Sequence, residues 1–197
     1  MIYRSTITIG GLRLPESRKI ADLLLKGVTK GEWNDAIAKK NILQARSISS
    51  ARIVGGLVRE RLVTMQPEMW KMVRDGIGTV PIQAVFACAL KHSKLLLDFM
   101  LLVVADQFRL FSPTVPKKLW GKYLEGCQER DPQMPLWSPA TCQRLRLSIL
   151  QSLAQAGYLD STKSCRLRTV HLGAQVEGYL RHHQELEVLE AMLVGNP

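Results

Sequence analysis

Three features of the sequence predict a mainly α protein, in which a helical N-terminal body packs on a C-terminal winged helix-turn-helix-like region with a short β-wing. Apolar residues recur at three- and four-residue intervals through most of the 197 positions. Serine or proline stands where several of these stretches begin and glycine where some end, the usual punctuation of helices. Only residues 158–170 show short apolar runs about a polar turn, the pattern of paired strands. Pro113 and Pro116 divide the chain into a helical domain, 1–112, and a winged-helix-like domain, 113–197.

In the N-terminal domain, Ile2, Ile7 and Ile9 alternate with polar residues as far as Gly10-Gly11, as in an extended arm or short strand. Pro15 suits a first helical turn, with Glu16 at its positive end, Ile20, Leu23 and Leu24 as the buried stripe and Gly27 as the stop. A second helix spans Glu32 to Lys40, with Trp33, Ala36 and Ile37 inward. A third, capped by Ser47 or Ser49, reaches Met65 with Ile53, Leu57, Val58 and Leu62 on its apolar face and Arg52, Arg59 and Arg61 off it. Gly55-Gly56 in its middle costs about 1 kcal/mol per glycine relative to alanine, which implies close packing, a kink or no helix there. Helices also follow Pro67 and Pro81, and a core helix covers Leu95 to Phe108.

In the C-terminal domain a helix from Lys117 to Cys127 leads through a proline-rich turn, Asp131 to Pro135, to a long helix opened by Ser138-Pro139 and ended near Gly157. Tyr158-Leu159 and Arg166 to Val170 form the two short strands about Asp160 to Ser164, and an acidic helix runs from Ala174 to Leu193.

Composition narrows the function. A hydrophobic content of 46% with 22% charged residues describes a globular chain rather than a disordered one. The net charge of +10 exceeds what solubility needs and points to a polyanion. Residues 1–65 hold 12 Lys/Arg against 5 Asp/Glu and residues 113–174 hold 9 against 4. Residues 66–112 are nearly neutral, and 175–197 hold 1 against 4. Positive charge is thus confined to two regions, as in a scaffold with two basic surfaces.

Cys88, Cys127, Cys142 and Cys165 are far apart and lack metal-ligand spacing, so they read as buried thiols in a reducing, cytoplasmic compartment. Met1 to Leu14 has no signal-peptide run. Leu95 to Ala105 is about half the roughly 20 residues that span a bilayer and contains Asp98, so no membrane insertion is expected.

Residues 117–170 have the order of a winged helix. On the helix from Pro139, Cys142, Leu145, Ile149, Leu153 and Ala156 share one side. Gln143, Arg144, Leu147 and Gln151 share the other, and Arg and Gln are the types that pair with guanine and adenine in the major groove. Arg146 lies at the edge of the buried stripe and snorkels outward. Lys117, Lys118 and Lys122 on the preceding helix, with Lys163, Arg166 and Arg168 on the wing, suit phosphate contacts. Lys39, Lys40, Arg46, Arg52, Arg59 and Arg61 form a second basic surface, although some of them have acidic neighbours with which to pair. Trp33, Trp70, Trp120 and Trp137 sit at apolar helical positions, as core rather than base-stacking residues.

No phosphate-binding glycine loop, zinc-protease motif or nucleophile elbow is present, and Gly76-Ile77-Gly78 lacks the rest of a dinucleotide site. No enzymatic activity, cofactor, metal or small-molecule substrate is expected. Double-stranded DNA is the expected partner; an RNA-binding protein or a protein-docking scaffold is the alternative.

The chain also resembles the BrxA family of bacteriophage-exclusion (BREX) systems. The resemblance rests on Leu14-Pro15-Glu16-Ser17-Arg18 leading to Ala21-Asp22-Leu23-Leu24, and on Asn41-Ile42-Leu43-Gln44-Ala45-Arg46-Ser47 with Ser50-Ala51. It continues through Arg59-Glu60-Arg61-Leu62, Leu97-Asp98-Phe99, Trp137-Ser138-Pro139-Ala140-Thr141 and Leu153-Ala154-Gln155-Ala156-Gly157-Tyr158-Leu159. It implies a small helical DNA-binding protein without catalytic activity, working among other BREX defence proteins that include a methyltransferase and an ATPase. A helical body similar to that of the RNA-binding antitermination factor NusB is a further implication. Members have been labelled inner-membrane proteins, which Leu95 to Ala105 argues against, and Gly55-Gly56 departs from the family's pattern.

Overall fold

Helices with well-marked ends account for most of the molecule, a computed structural model that describes residues 3–7 and 9–196. They gather into two units: Leu12–His92, and the N-terminal arm to Gly11 together with the chain from Ser93 onward. Residues 93–112, grouped by sequence with the N-terminal half, belong with the chain that follows, because their apolar helix packs on elements further along.

In the Leu12–His92 unit, α1 (Leu14–Leu25) has Pro15 in its first turn, buries Ser17, Ile20 and Ala21, and is followed by Gly27 at φ 61. Thr29 and Glu32 form a capping box for α2 (Lys30–Asn34): the Glu32 amide donates to the Thr29 hydroxyl at 3.3 Å and the Thr29 amide to the Glu32 carboxylate at 2.7 Å. The helix then widens into a π-helical stretch, Asp35–Lys39, that buries Ala36 and Ile37. Ser47 caps α3 (Ile48–Leu62) by accepting from the Ser50 amide. Next come α4 (Pro67–Asp75), with Met69 and Val73 buried, and α5 (Val80–His92), buried along almost its whole length. Helix α1 packs on α3, α4 and α5.

The two glycines of α3 behave differently. A Cβ at Gly55 would lie 3.3 Å from the Ile37 Cδ1 and 3.4 Å from the Leu43 Cδ1, whereas one at Gly56 would meet nothing within 4 Å. Close packing therefore accounts for Gly55, while nothing in the surroundings of Gly56 requires a glycine, and the helix runs through both. This shifts the buried stripe onto Ala51, Gly55, Val58 and Leu62 and corrects two expectations: Ile53 is 56% exposed, and Arg61 is only 3% exposed.

In the other unit, α6 (Lys94–Asp98), a π-helical stretch (Phe99–Val104) and α7 (Ala105–Arg109) form the expected core segment, started by the Ser93 hydroxyl. Against it pack α8 (Leu119–Arg130), which contributes Trp120 and Tyr123 to a ring cluster with Phe99, and α11 (Leu186–Met192). Burial of Asp98 is offset by the Tyr3 hydroxyl, which donates to it at 2.6 Å, and by the Lys94 ammonium at 3.1 Å. Arg130 Nε donates to the same hydroxyl at 2.9 Å and the Tyr3 amide to Asp131 at 3.2 Å, which anchors the arm. The described part of the arm forms no strand. Tyr3 and Ile7 are buried and Ile9 half-buried, while Ile2 lies outside the described residues.

Helix α9 (Pro139–Ala156) begins at the Ser138 cap and ends at Gly157, φ 92. The expected wing strands are reduced to single antiparallel bridges, Leu159 with Leu167 and Thr114 with Arg166. Residues 113–115 thus add a third segment, tied by Val115 N–H to the Cys165 carbonyl and Leu167 N–H to the Pro113 carbonyl, both at 3.0 Å. The expected continuous C-terminal helix is two, α10 (Ala174–His182) and α11. Gln184 at φ 55 turns the chain between them, with the Glu185 amide returning to the Leu180 carbonyl at 2.8 Å. Among the described residues no helix is long and apolar enough to cross a membrane.

Candidate nucleic-acid interface

Helix α9 presents one side to solvent because its apolar residues occupy the other. Leu145, Ser148, Ile149, Ser152, Leu153 and Ala156 are buried. Gln143, Arg144, Leu147 and Gln151 are exposed together as expected, and Arg146 is half-buried at the edge.

Two positions on this helix have a neighbour that the sequence did not reveal. A Cβ at Gly10 would fall 2.5 Å from Gln151 Oε1, and one at Gly11 would fall 2.7 Å from Gln155 Oε1. The arm therefore lies along the flank of α9, and its glycine pair makes that approach possible. The only signal was Gly10-Gly11 itself, which reads equally well as the end of a strand.

Between Leu159 and Arg166 the loop is organised by one carboxylate. Asp160 Oδ1 accepts from the Ser161 amide at 2.6 Å, the Ser164 hydroxyl at 2.7 Å and the Arg166 amide at 3.0 Å. These hydrogen bonds, that from Ser164 foremost, hold the Asp160 carboxyl below the usual carboxylate range. The fixed turn carries Lys163 outward, and the alternation that follows exposes Arg166 and Arg168 while half-burying Leu167. Pairing of 113–115 with 165–167 brings Lys117 to the same place. Burial pushes the Cys165 thiol up, and the Arg146 and Lys117 cations nearby oppose that shift.

Lys117, Lys118, Lys122, Lys163, Arg144, Arg166 and Arg168 are all exposed. Neither they nor Arg146 is ion-paired among the described residues. Acidic partners are instead used elsewhere, as in Lys26–Asp22 at 2.6 Å, Arg74–Asp75 at 2.8 Å and Arg181–Glu177 at 2.7 Å. An array of unpaired cations about an exposed helix can neutralise several phosphates at once.

The second basic surface, on the Leu12–His92 unit, is smaller than expected. Lys40, Arg46 and Arg52 are exposed and, among the described residues, unpaired. Lys39 is exposed but engages Asp35 at 2.8 Å, and Arg59 lies 5.1 Å over the Trp33 ring. Arg61 must be removed from the surface. Burial first, and the Arg13 charge second, push its guanidinium pKa down to about 10, which is the signature of an interior cation.

The tryptophans do not form a stacking platform. Trp120 is buried and Trp33, Trp70 and Trp137 are half-buried, with the Trp70 indole donating to the Leu62 carbonyl at 2.7 Å. Cys88, Cys127 and Cys165 are buried, Cys142 is half-buried, and all four are free thiols. Among the described residues no group of three or more His, Cys, Asp or Glu is placed to hold a metal ion.

Comparison with known proteins bears on the whole chain. Residues 1–184 match the BrxA family. A BREX protein BrxA of Paramagnetospirillum magneticum is 48% identical over 193 residues, covering 98% of this chain and 97% of that protein. The BREX protein BrxA of Escherichia coli O9:H4 (strain HS) is 27% identical over 183 residues, covering 93% and 86%. A crystal structure of an uncharacterized protein from Magnetospirillum magneticum superposes with a TM-score of 0.93 at 47% identity, covering 98% of this chain and all of that one. With the family matched along nearly its full length and a relative close to half identical, the chain belongs to the BrxA family.

Proposed function

We propose that this chain is a non-enzymatic, DNA-binding component of a BREX phage-defence system that holds duplex DNA with little sequence preference. The observation that carries the reading is the set of exposed, unpaired cations at Lys117 and Lys118, on α8 and α9, and on the loop 160–168, of which the pairing of three short segments brings Lys117 beside the loop. The order α7, segment 113–115, α8, α9, then two segments joined by a fixed loop is that of a winged helix. In that arrangement α9 enters the major groove, with Arg144, Gln143 and Gln151 toward base edges. Lys117, Lys118, Lys122, Arg146, Lys163, Arg166 and Arg168 contact phosphates on either side. One arginine and two glutamines supply few base contacts beside these seven phosphate-binding cations, so affinity is mostly electrostatic and sequence-tolerant. Lys40, Arg46 and Arg52 give the other unit a lesser phosphate-binding surface. The family membership supports the defence context and other BREX proteins as partners.

Fluorescence anisotropy with a labelled duplex of about 30 base pairs, titrated at several salt concentrations, tests the reading. Micromolar or tighter binding is expected, with a log–log salt slope of about −0.9 per phosphate neutralised. The triple variant Arg144→Glu, Arg166→Glu, Arg168→Glu should remain folded and lose binding. Unaltered affinity in that variant, or preference for an RNA hairpin over the duplex in competition, would overturn the assignment.

A further inference from the structure

In the unit that contains α9, a groove of about 690 Å³ opens between the π-helical stretch with α7 on one side and α11 with the residues after it on the other. Its walls include Leu101, Ala105, Phe108, Leu189, Leu193 and Val194, and its rim includes Phe111. Phe111 is 94% exposed, and two further large apolar residues nearby, Leu110 at 66% and Leu186 at 63%, are also uncovered.

Phe111 is unusual in its backbone as well as its exposure. It follows α7 in the left-handed conformation, φ 52, with its own amide returning to the Phe108 carbonyl at 3.0 Å and the Ser112 amide to the Gln107 carbonyl at 2.9 Å. Glycine fits that position without steric conflict, so an aromatic residue there carries a backbone cost as well as an almost wholly uncovered ring. Among the described residues nothing covers that ring.

We infer that this face is a two-fold interface between two copies of the chain, in which Phe111 of each copy enters the apolar groove of the other. The occupant follows from the patch being complementary to itself. It carries both a projecting aromatic and a cavity able to take one, which is what an isologous contact requires. Its charges are complementary in the same way. Arg109 and Glu190 both line the groove, and neither is ion-paired among the described residues. A two-fold axis sets each against the opposite charge of the second copy, forming two pairs. An aromatic side chain buries about 150–250 Å². Reciprocal insertion, with Leu110 and Leu186 around it, forms the apolar centre of the roughly 800 Å² per partner that a stable dimer uses.

Sedimentation equilibrium of the full chain across a range of protein concentrations tests the inference independently of DNA binding. The wild-type chain is expected to dimerise. Phe111→Gly relieves the backbone strain, so it should stay folded by circular dichroism while raising the dimer Kd about 30-fold or more, as removal of a central aromatic anchor does. Arg109→Glu and Glu190→Arg should each weaken the dimer, and the double variant should recover it. A wild-type chain that stays monomeric throughout, a Phe111→Gly chain that dimerises like the wild type, or a double variant no better than its singles would overturn it. A monomer would leave the groove to a different protein or an apolar small molecule.

Discussion

Adjacent glycines in the middle of one helix should respond oppositely to the same substitution. Replacing a helix-interior glycine by alanine stabilises by roughly 0.5–1 kcal/mol, because glycine loses more conformational freedom on folding. At Gly56 the added methyl has open space, so Gly56→Ala should gain most of that amount and raise Tm by about 1–4 °C for a chain of this size. At Gly55 the methyl arrives 3.3 Å and 3.4 Å from the ends of Ile37 and Leu43, inside the buried stripe. These ends must retreat by a few tenths of an ångström, which offsets the helical gain, and Gly55→Ala should fall between neutral and about 1 kcal/mol destabilising. Gly55→Val, which adds more volume and a β-branch, should lose about 1–3 kcal/mol. Thermal and urea unfolding of the three variants measures this. A Gly55→Ala chain more stable than Gly56→Ala would refute the placement of Gly55 against Ile37 and Leu43.

Three further outcomes are expected. Asp160→Ala should release the Lys163 loop without unfolding the protein and lower the magnitude of the salt slope by about 0.9 for each phosphate that the loop no longer neutralises; an unchanged slope and affinity would remove the loop from the interface. Arg61→Met should leave DNA affinity within about twofold, unlike Arg52→Glu, whereas Arg61→Glu, which buries a carboxylate, should destabilise by about 2–4 kcal/mol in urea unfolding; a binding defect in a stably folded Arg61→Met would return that residue to the surface. The His92 imidazole is held below its ordinary range by burial and by the Arg61 charge, against the opposing pull of Glu60 at 3.6 Å. Its folded pKa is depressed, so the unfolded chain binds the extra proton first and stability falls as pH drops below about 6.5; the decline should shrink in His92→Gln, and equal acid sensitivity in the two would assign the effect to another group.

Helix positions are largely legible in the sequence because their ends carry chemistry that acts locally. Ser47 and Ser138 cap, Pro15 and Pro139 occupy first turns, and Gly27 and Gly157 take left-handed conformations at the stops. Features that depend on packing are not legible. The π-helical stretches Asp35–Lys39 and Phe99–Val104 leave no mark in an apolar periodicity that they shift only slightly. The break at Gln184 falls on a residue without a turn preference strong enough to announce it. Pro113 to Val115 reads as a boundary because prolines flank it, although Thr114 and Val115 between them pair with 165–166.

The candidate site shows the same limit in its charges. Arg52, Arg59 and Arg61 look alike in sequence as basic residues of one helix, yet one is free in solvent, one is stacked on Trp33 and one is interior. What separates them is the direction of the buried stripe. Ala51 and Gly55, both buried, define it, Gly55 by being small enough for Ile37 and Leu43 to approach, and small residues contribute least to a hydrophobic pattern. On α9 the stripe is drawn by Leu145, Ile149 and Leu153, whose size makes the opposite face unambiguous, and every residue placed there from sequence is exposed. A basic residue can therefore be assigned to a surface from sequence only as securely as the apolar stripe opposite it is marked by large side chains. That condition is met on α9 and fails on α3. For the same reason a substitution at Arg144 on α9 reports on nucleic-acid binding apart from packing, and substitutions along α3 measure packing and binding together.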